Sequence, residues 1–293
     1  MALIHDDIVD QLVPIEGVIG DKKGSLGQRI VLYVSVVFLA LVILVAIAPS
    51  VFAPSNPLTL NSAHVLQGPS LSHILGTDEY GRGILSTLIY GARPALVVGV
   101  VCAVAGGVVG GAMGILAGYF GGTADQGIMR FNDILMCFPG LLLALLISAA
   151  LGPSLVNEII AVAVAGVPTY ARVARGETLS VRGSLYIDAA MVGGLSRWRI
   201  IRRHVLPNVL TPLVVVATIT VGISIVLAAS LSFLGLGPTG GVPDWGRLLA
   251  DGETYISQAW WISTFPGIAI TLVVVAANVL GDWFRDRLDV KAR

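Results

Sequence analysis

Several stretches of this chain are apolar over lengths that suit a lipid bilayer, and this limits its possible folds more than any other feature. The runs lie at about 30–50, 95–118, 132–151, 155–172, 209–234 and 262–281. A helix needs about 20 predominantly apolar residues to cross the hydrocarbon core. No water reaches that core to satisfy backbone groups, so such runs are expected to be helices. Charged residues make up 12% of the chain, against roughly 25% in ordinary soluble domains. The expected fold class is therefore an all-α membrane protein with six transmembrane helices. The fourth run is the weakest, because its apolar core is short and Glu158 stands near its start. The first lies behind the polar residues 1–29 and is longer than the core of about 7–15 residues typical of a signal peptide, so it is expected to be retained as an anchor.

Orientation follows from the basic residues, which concentrate in cytoplasmic segments of membrane proteins. Placing the N-terminus in the cytoplasm leaves only Arg82, Arg93 and Arg247 outside, and 15 of the 18 Lys and Arg inside. Both termini are then expected to be cytoplasmic. The formal net charge of zero hides this asymmetry and gives no reason to expect a nucleic-acid partner.

The interiors of the second, third, fifth and sixth runs carry no Lys, Arg, Asp, Glu or His. Proton relays and ion sites in membranes are usually marked by such groups. No G-x-x-x-x-G-K-[ST] phosphate loop occurs either, since no glycine in the chain is followed by lysine. Energy for any transport is thus expected from a partner. The spans show no facing His or carboxylate pairs for general acid–base work, which disfavours a membrane enzyme. Cys102 and Cys137 both lie in apolar runs, so small packing residues are expected rather than a disulfide. Gly106, Gly110, Gly114 and Gly118 recur every four residues, a stripe that lets a neighbouring helix approach closely. Pro139, Pro168 and Pro266 are expected to kink the third, fourth and sixth runs.

One polar island breaks the pattern on the basic side. Residues 186–208 read YIDAAMVGGLSRWRIIRRHVLPN, with Arg197, Arg199, Arg202, Arg203 and His204 crowded into the second half. Such a loop is a candidate docking surface. Asp188 suits the positive end of a short helix, and Gly193-Gly194 would permit a turn after it.

This island resembles the EAA motif of the membrane subunits of bacterial ATP-binding-cassette importers. The match is Asp188-Ala189-Ala190, Gly194, Ile200 and Leu206-Pro207-Asn208, with aspartate where the motif usually has glutamate. Three further stretches are similar to the C-type permeases of the oligopeptide, dipeptide and nickel family. They are Leu75-Gly76-Thr77-Asp78 with Gly81-Arg82 and Gly91-Ala92-Arg93; Ser232 to Gly237 with Pro243-Asp244-Trp245-Gly246; and Asn278, Gly281-Asp282, Arg285-Asp286 and Leu288-Asp289. The resemblance covers nearly everything from residue 75 onward.

The resemblance implies a type I importer permease in a bacterial inner or plasma membrane. It implies a cytoplasmic tail at 1–29, a first span at 30–52, an extracytoplasmic segment at 53–93, a permease core at 94–282 with a coupling loop at 173–208, and a tail at 283–293. It implies half of a translocation pathway, completed by a second homologous permease subunit, with membrane lipid around it. ATPase subunits would carry ATP and Mg, leaving this chain non-catalytic and free of cofactor and metal, and an extracytoplasmic binding protein would deliver a peptide. Nickel, haem or glutathione are the alternative cargoes, and an autonomous channel or secondary carrier is the alternative class. The ATPase-coupling residues would be Asp188, Ala189, Ala190, Gly194, Arg197, Ile200, Leu206 and Pro207. The outer signature would be Gly76, Thr77, Asp78, Gly81 and Arg82. Asp78 and Arg82, four apart, are expected to pair on a helical turn, either to guard the pathway or to cap the second span. Trp245, Trp260 and Trp261 are expected to be interfacial anchors.

Overall fold

The computed structural model describes residues 26–289, and the named elements among them are all helical. The tail expected over 1–29 lies, save for residues 26–29, outside the described residues. In chain order the elements are α1 (Leu26–Ile47), α2 (Pro49–Phe52), a 3-10 turn (Ser62–His64), α3 (Ile84–Phe120), α4 (Gly122–Met136), α5 (Gly140–Leu151), α6 (Leu155–Arg182), α7 (Leu185–Val192), α8 (Arg197–Ile200), a π turn (Ile201–Val205), α9 (Leu206–Phe233), α10 (Trp245–Glu253) and α11 (Trp261–Asp289).

Five helical stretches are long and apolar enough to cross a membrane, and the pair α4 and α5 would make a sixth if counted as one broken span. The long ones exceed the apolar runs that announced them. At about 1.5 Å per residue the 37 residues of α3 extend well past a hydrocarbon core about 30 Å thick. The helix begins at Ile84, ten positions before the core boundary expected at 94, and α11 continues through the boundary expected at 282. The weak fourth run proves to be part of a 28-residue helix, α6.

The third run departs from expectation. Instead of one helix over 132–151, α4 and α5 meet at 90°. Pro139 caps α5 with an extended backbone, φ −52° and ψ 135°; it has no N–H to continue the ladder from α4. Cys137 is exposed at this corner, while Cys102 is buried and donates to Ile159 O at 3.4 Å. The twelve residues of α5 rise roughly 18 Å, too little to cross alone. By contrast, Pro168 and Pro266 lie inside continuous helices.

Small residues set the packing. A Cβ added at Gly114 would meet Ala174 Cβ at 2.6 Å, and one at Gly118 would meet Thr178 Cβ at 2.8 Å. At Gly110 it would run into Val167 O and Tyr170. The glycine stripe of α3 thus lies directly on α6, where larger side chains would hold the backbones apart. Across the bundle Gly99 accommodates Ile225 of α9, and Gly281 of α11 accommodates Thr218 of α9. Arg93 ties α1 to this body: Nε donates to Ala46 O at 2.8 Å and Nη2 to Ile47 O at 2.7 Å. These carbonyls end α1, the terminus that favours a cation.

Candidate functional site

At the basic end of the bundle, α6 gives way to α7, which carries the Asp188-Ala189-Ala190 segment. Ile187 is fully buried and joins Val181, Ile200, Val205 and Val209 in one apolar cluster that continues to Tyr170 and Ile115. Asp188 and Ala189 are exposed, Ala190 is half-buried, and Leu185 and Val192 stand almost fully in the open. The short helix is therefore pinned to the core by one side chain while displaying an apolar and acidic outer face. Leu185-Tyr186-Ile187 is an apolar run in the sequence, and only the packing singles out Ile187 as its buried member.

Gly194 follows with φ +78°, a conformation that costs other L-residues roughly 1–2 kcal/mol. The chain then enters α8, the π turn and α9, together one 37-residue stretch. Arg197, Arg199, Arg202 and Arg203 all lie on this stretch and are exposed, whereas Ile200 is buried. The basic half of the island is thus an extension of the fifth span rather than a free loop. Pro207 accounts for the π turn. Its ring clashes with the carbonyl four residues earlier and it offers no N–H, so the turn widens just before it. Asn208 adds a side-chain bond at this point, its Nδ2 donating to His204 O at 2.6 Å. Leu206 is half-buried and Pro207 exposed.

Two ion pairs hold α4 against this end of α6. Arg175 donates from Nε and Nη2 to Asp125 at 2.5 and 2.7 Å, and Arg172 donates to Asp133 at 2.8 Å. They join residues 39 and 50 positions apart, which no local pattern foretells.

The other end of the bundle is built from the outer signature. Gly76 and Gly81 have φ +79° and +73°, which explains both glycines. Thr77 is buried; its hydroxyl donates to His64 O at 2.5 Å and accepts from Gln67 N at 2.8 Å. Asp78, also fully buried, accepts from Tyr80 N, Arg82 N and Arg82 Nε at 2.9, 2.8 and 2.5 Å. The Asp78–Arg82 pair forms, but in a tight loop closed by the Thr77↔Gly83 bridge and not on a helical turn. Two tryptophans belong to the same knot. Trp261 Nε1 donates to Thr77 O at 3.0 Å and Trp245 Nε1 to Leu88 O at 2.9 Å. Both rings are buried, so of the three expected anchors only Trp260, 51% exposed, is free to meet lipid.

The stretch after α9 completes this end. Asp244 caps α10 by accepting from Arg247 N at 2.9 Å, and burial pushes its carboxyl above the usual carboxylate range. A Cβ on Gly246 would collide with the Ala229 backbone. Glu158, buried near the start of α6, accepts from Ser232 Oγ at 3.3 Å. Burial likewise raises the Glu79 carboxyl, with Asp78 and Asp251 adding repulsion.

Long apolar helices packed through small residues, with a short helix held out on the basic end, define a polytopic membrane protein. The fold agrees with a chain of the MetNI methionine ABC transporter in an inward-facing conformation, at TM-score 0.57 and 20% identity over 69% of this chain and 96% of the other. The family described as binding-protein-dependent transport system inner membrane component matches residues 110–293. The dipeptide transport system permease protein DppC of Alkalihalophilus pseudofirmus is 42% identical over 89% of this chain and 86% of its own length. The probable D,D-dipeptide transport system permease protein DdpC of Escherichia coli is 41% identical over 88% and 87%. The glutathione transport system permease protein GsiD of Pectobacterium atrosepticum is 42% identical over 78% and 75%. The chain belongs to the family of binding-protein-dependent transport inner membrane components, as a C-type permease with the type I importer fold.

Proposed function

We propose that this chain is the non-catalytic half of the pathway of an ATP-driven importer for short peptides, with its basic end in the cytoplasm. The observation that carries the reading is α7, whose Ile187 is locked into the core while Asp188 and Ala189 face outward. A push or pull on that exposed face reaches α3, α6 and α9 through one packed cluster, as a coupling element requires. The exposed arginines of α8 and the π turn offer contacts to an acidic ATPase surface or to lipid phosphates. ATP and Mg belong to the ATPase subunits, a second permease completes the pathway, and an extracytoplasmic binding protein delivers cargo. Dipeptide and peptide permeases among the relatives support a peptide cargo; the glutathione permeases are themselves relatives for a modified tripeptide.

The test is reconstitution of this chain with its co-purifying permease, ATPases and binding protein in liposomes. ATP-dependent dipeptide uptake is expected, and Asp188→Lys is expected to leave hydrolysis running while uptake falls at least tenfold. Dipeptide flux through liposomes holding this chain alone, without ATP, would establish an autonomous channel or carrier instead.

A further inference from the structure

A cavity of about 390 Å³ opens between the outer signature and the segment after α9, within the range of about 300–1,000 Å³ usual for small-molecule sites. Its charged lining consists of Arg82, Arg247, Asp244 and Asp251, two of each sign. Arg82 is pre-positioned. Asp78 holds it through Nε alone, Tyr80 lies under the guanidinium at 4.7 Å, and its side chain is 17% exposed. Nη1 and Nη2 make no hydrogen bond to the described residues, so a planar pair of donors remains for a carboxylate. Asp251 uses Oδ1 to accept from Arg247 Nε at 2.9 Å, and Oδ2 accepts no hydrogen bond from the described residues. The rim is Gly235 and Gly240-Gly241, all with positive φ; glycine there exposes backbone donors and acceptors to an extended ligand.

We propose that this cavity receives short zwitterionic peptides, with the free carboxylate on Arg82 and the free ammonium on Asp251. The proposal rests on the peptide-permease reading and adds the chemistry by which the permease itself selects cargo. A peptide near neutral pH carries both charges, because its carboxyl titrates at about 3.3–3.7 and its amine at about 7.7–8.0. The balanced lining matches such a molecule better than an anion or a cation alone. Both ends must reach their partners inside one cavity, which favours di- and tripeptides over longer chains. The concave shape suits a small ligand better than a protein surface.

The experiment uses the assembled transporter in nanodiscs without its binding protein, with trialanine, trialanine amide and N-acetyl-trialanine as probes in equilibrium binding. Each blocked peptide is expected to bind at least tenfold more weakly than trialanine. Arg82→Gln is expected to erase the acid-to-amide ratio, and Asp251→Asn the amine-to-acetyl ratio. The wild-type comparison of probes requires no variant to fold. Equal binding of the three probes, no binding of any, or ratios unchanged in both variants overturns the proposal. Uptake by the same complex with binding protein and ATP separates the two levels. Trialanine uptake without discrimination by the cavity rejects the site and leaves the peptide reading standing, whereas absence of peptide uptake rejects both.

Discussion

Gly194 shows how one residue sets the display of a whole element. Its φ of +78° turns the chain from α7 into α8, and a Cβ there would meet nothing within 4 Å. The cost of a side chain is therefore conformational and not steric, roughly 1–2 kcal/mol for an ordinary L-residue and less for asparagine. Gly194→Val is expected to displace α7 and to raise the ATP hydrolysed per peptide imported severalfold. Gly194→Asn is expected to stay near the parent ratio. Equal behaviour of the two variants would mean that the left-handed turn plays no part in coupling. Gly114 presents the opposite case, where the φ is ordinary and the obstacle is the neighbouring helix: a Cβ would strike Ala174.

At the scale of elements, α4 is the one whose placement depends most on polar contacts. It turns 90° from α5, exposes Phe131 and Ile134, and is tied to α6 by two ion pairs of unequal quality. Arg175 and Asp125 share two hydrogen bonds, with side chains 35% and 19% exposed; Arg172 and Asp133 share one, at 51% and 61%. Exposed pairs contribute about 0.2–1 kcal/mol, with bidentate geometry at the upper end. Double-mutant cycles on thermal unfolding in detergent are expected to give a coupling of about 1 kcal/mol for Asp125–Arg175 and near zero for Asp133–Arg172. Equal couplings would remove the argument from geometry. The same contrast between display and anchoring governs α7, where burial of Ile187 holds eight residues against the bundle.

For the whole molecule, the charge asymmetry and the two differently built ends make one statement about orientation. In the orientation proposed from the basic residues, the end bearing α7 and the exposed arginines lies inside and the knot around Asp78 lies outside. On a background with Cys102 and Cys137 replaced by serine, Ser72→Cys is expected to react with an impermeant maleimide in intact cells. Ser196→Cys is expected to react only after permeabilisation. Both sites are exposed, so accessibility reports sidedness and not burial; the reverse pattern would invert the proposed topology and with it the coupling role of α7.

The sequence by itself determined the class, five of the long apolar elements and the positions of the signature segments. Run length against bilayer thickness is a local quantity, and so are the four-residue glycine period and the Leu206-Pro207-Asn208 break. Glycines at 76, 81 and 194 were visible as residues before their positive φ explained them. Tertiary structure alone decided what lay far apart in the chain: that α4 folds back onto α6, that Trp245 and Trp261 are buried pegs, that Ile187 is the anchor of α7, and that Arg82 and Asp251 share a cavity. The physical reason is that an indole is equally suited to a lipid interface and to a buried backbone carbonyl. Similarly, an arginine–aspartate pair as distant in the chain as Arg175–Asp125 becomes readable only when the packing of apolar faces has brought its two ends together.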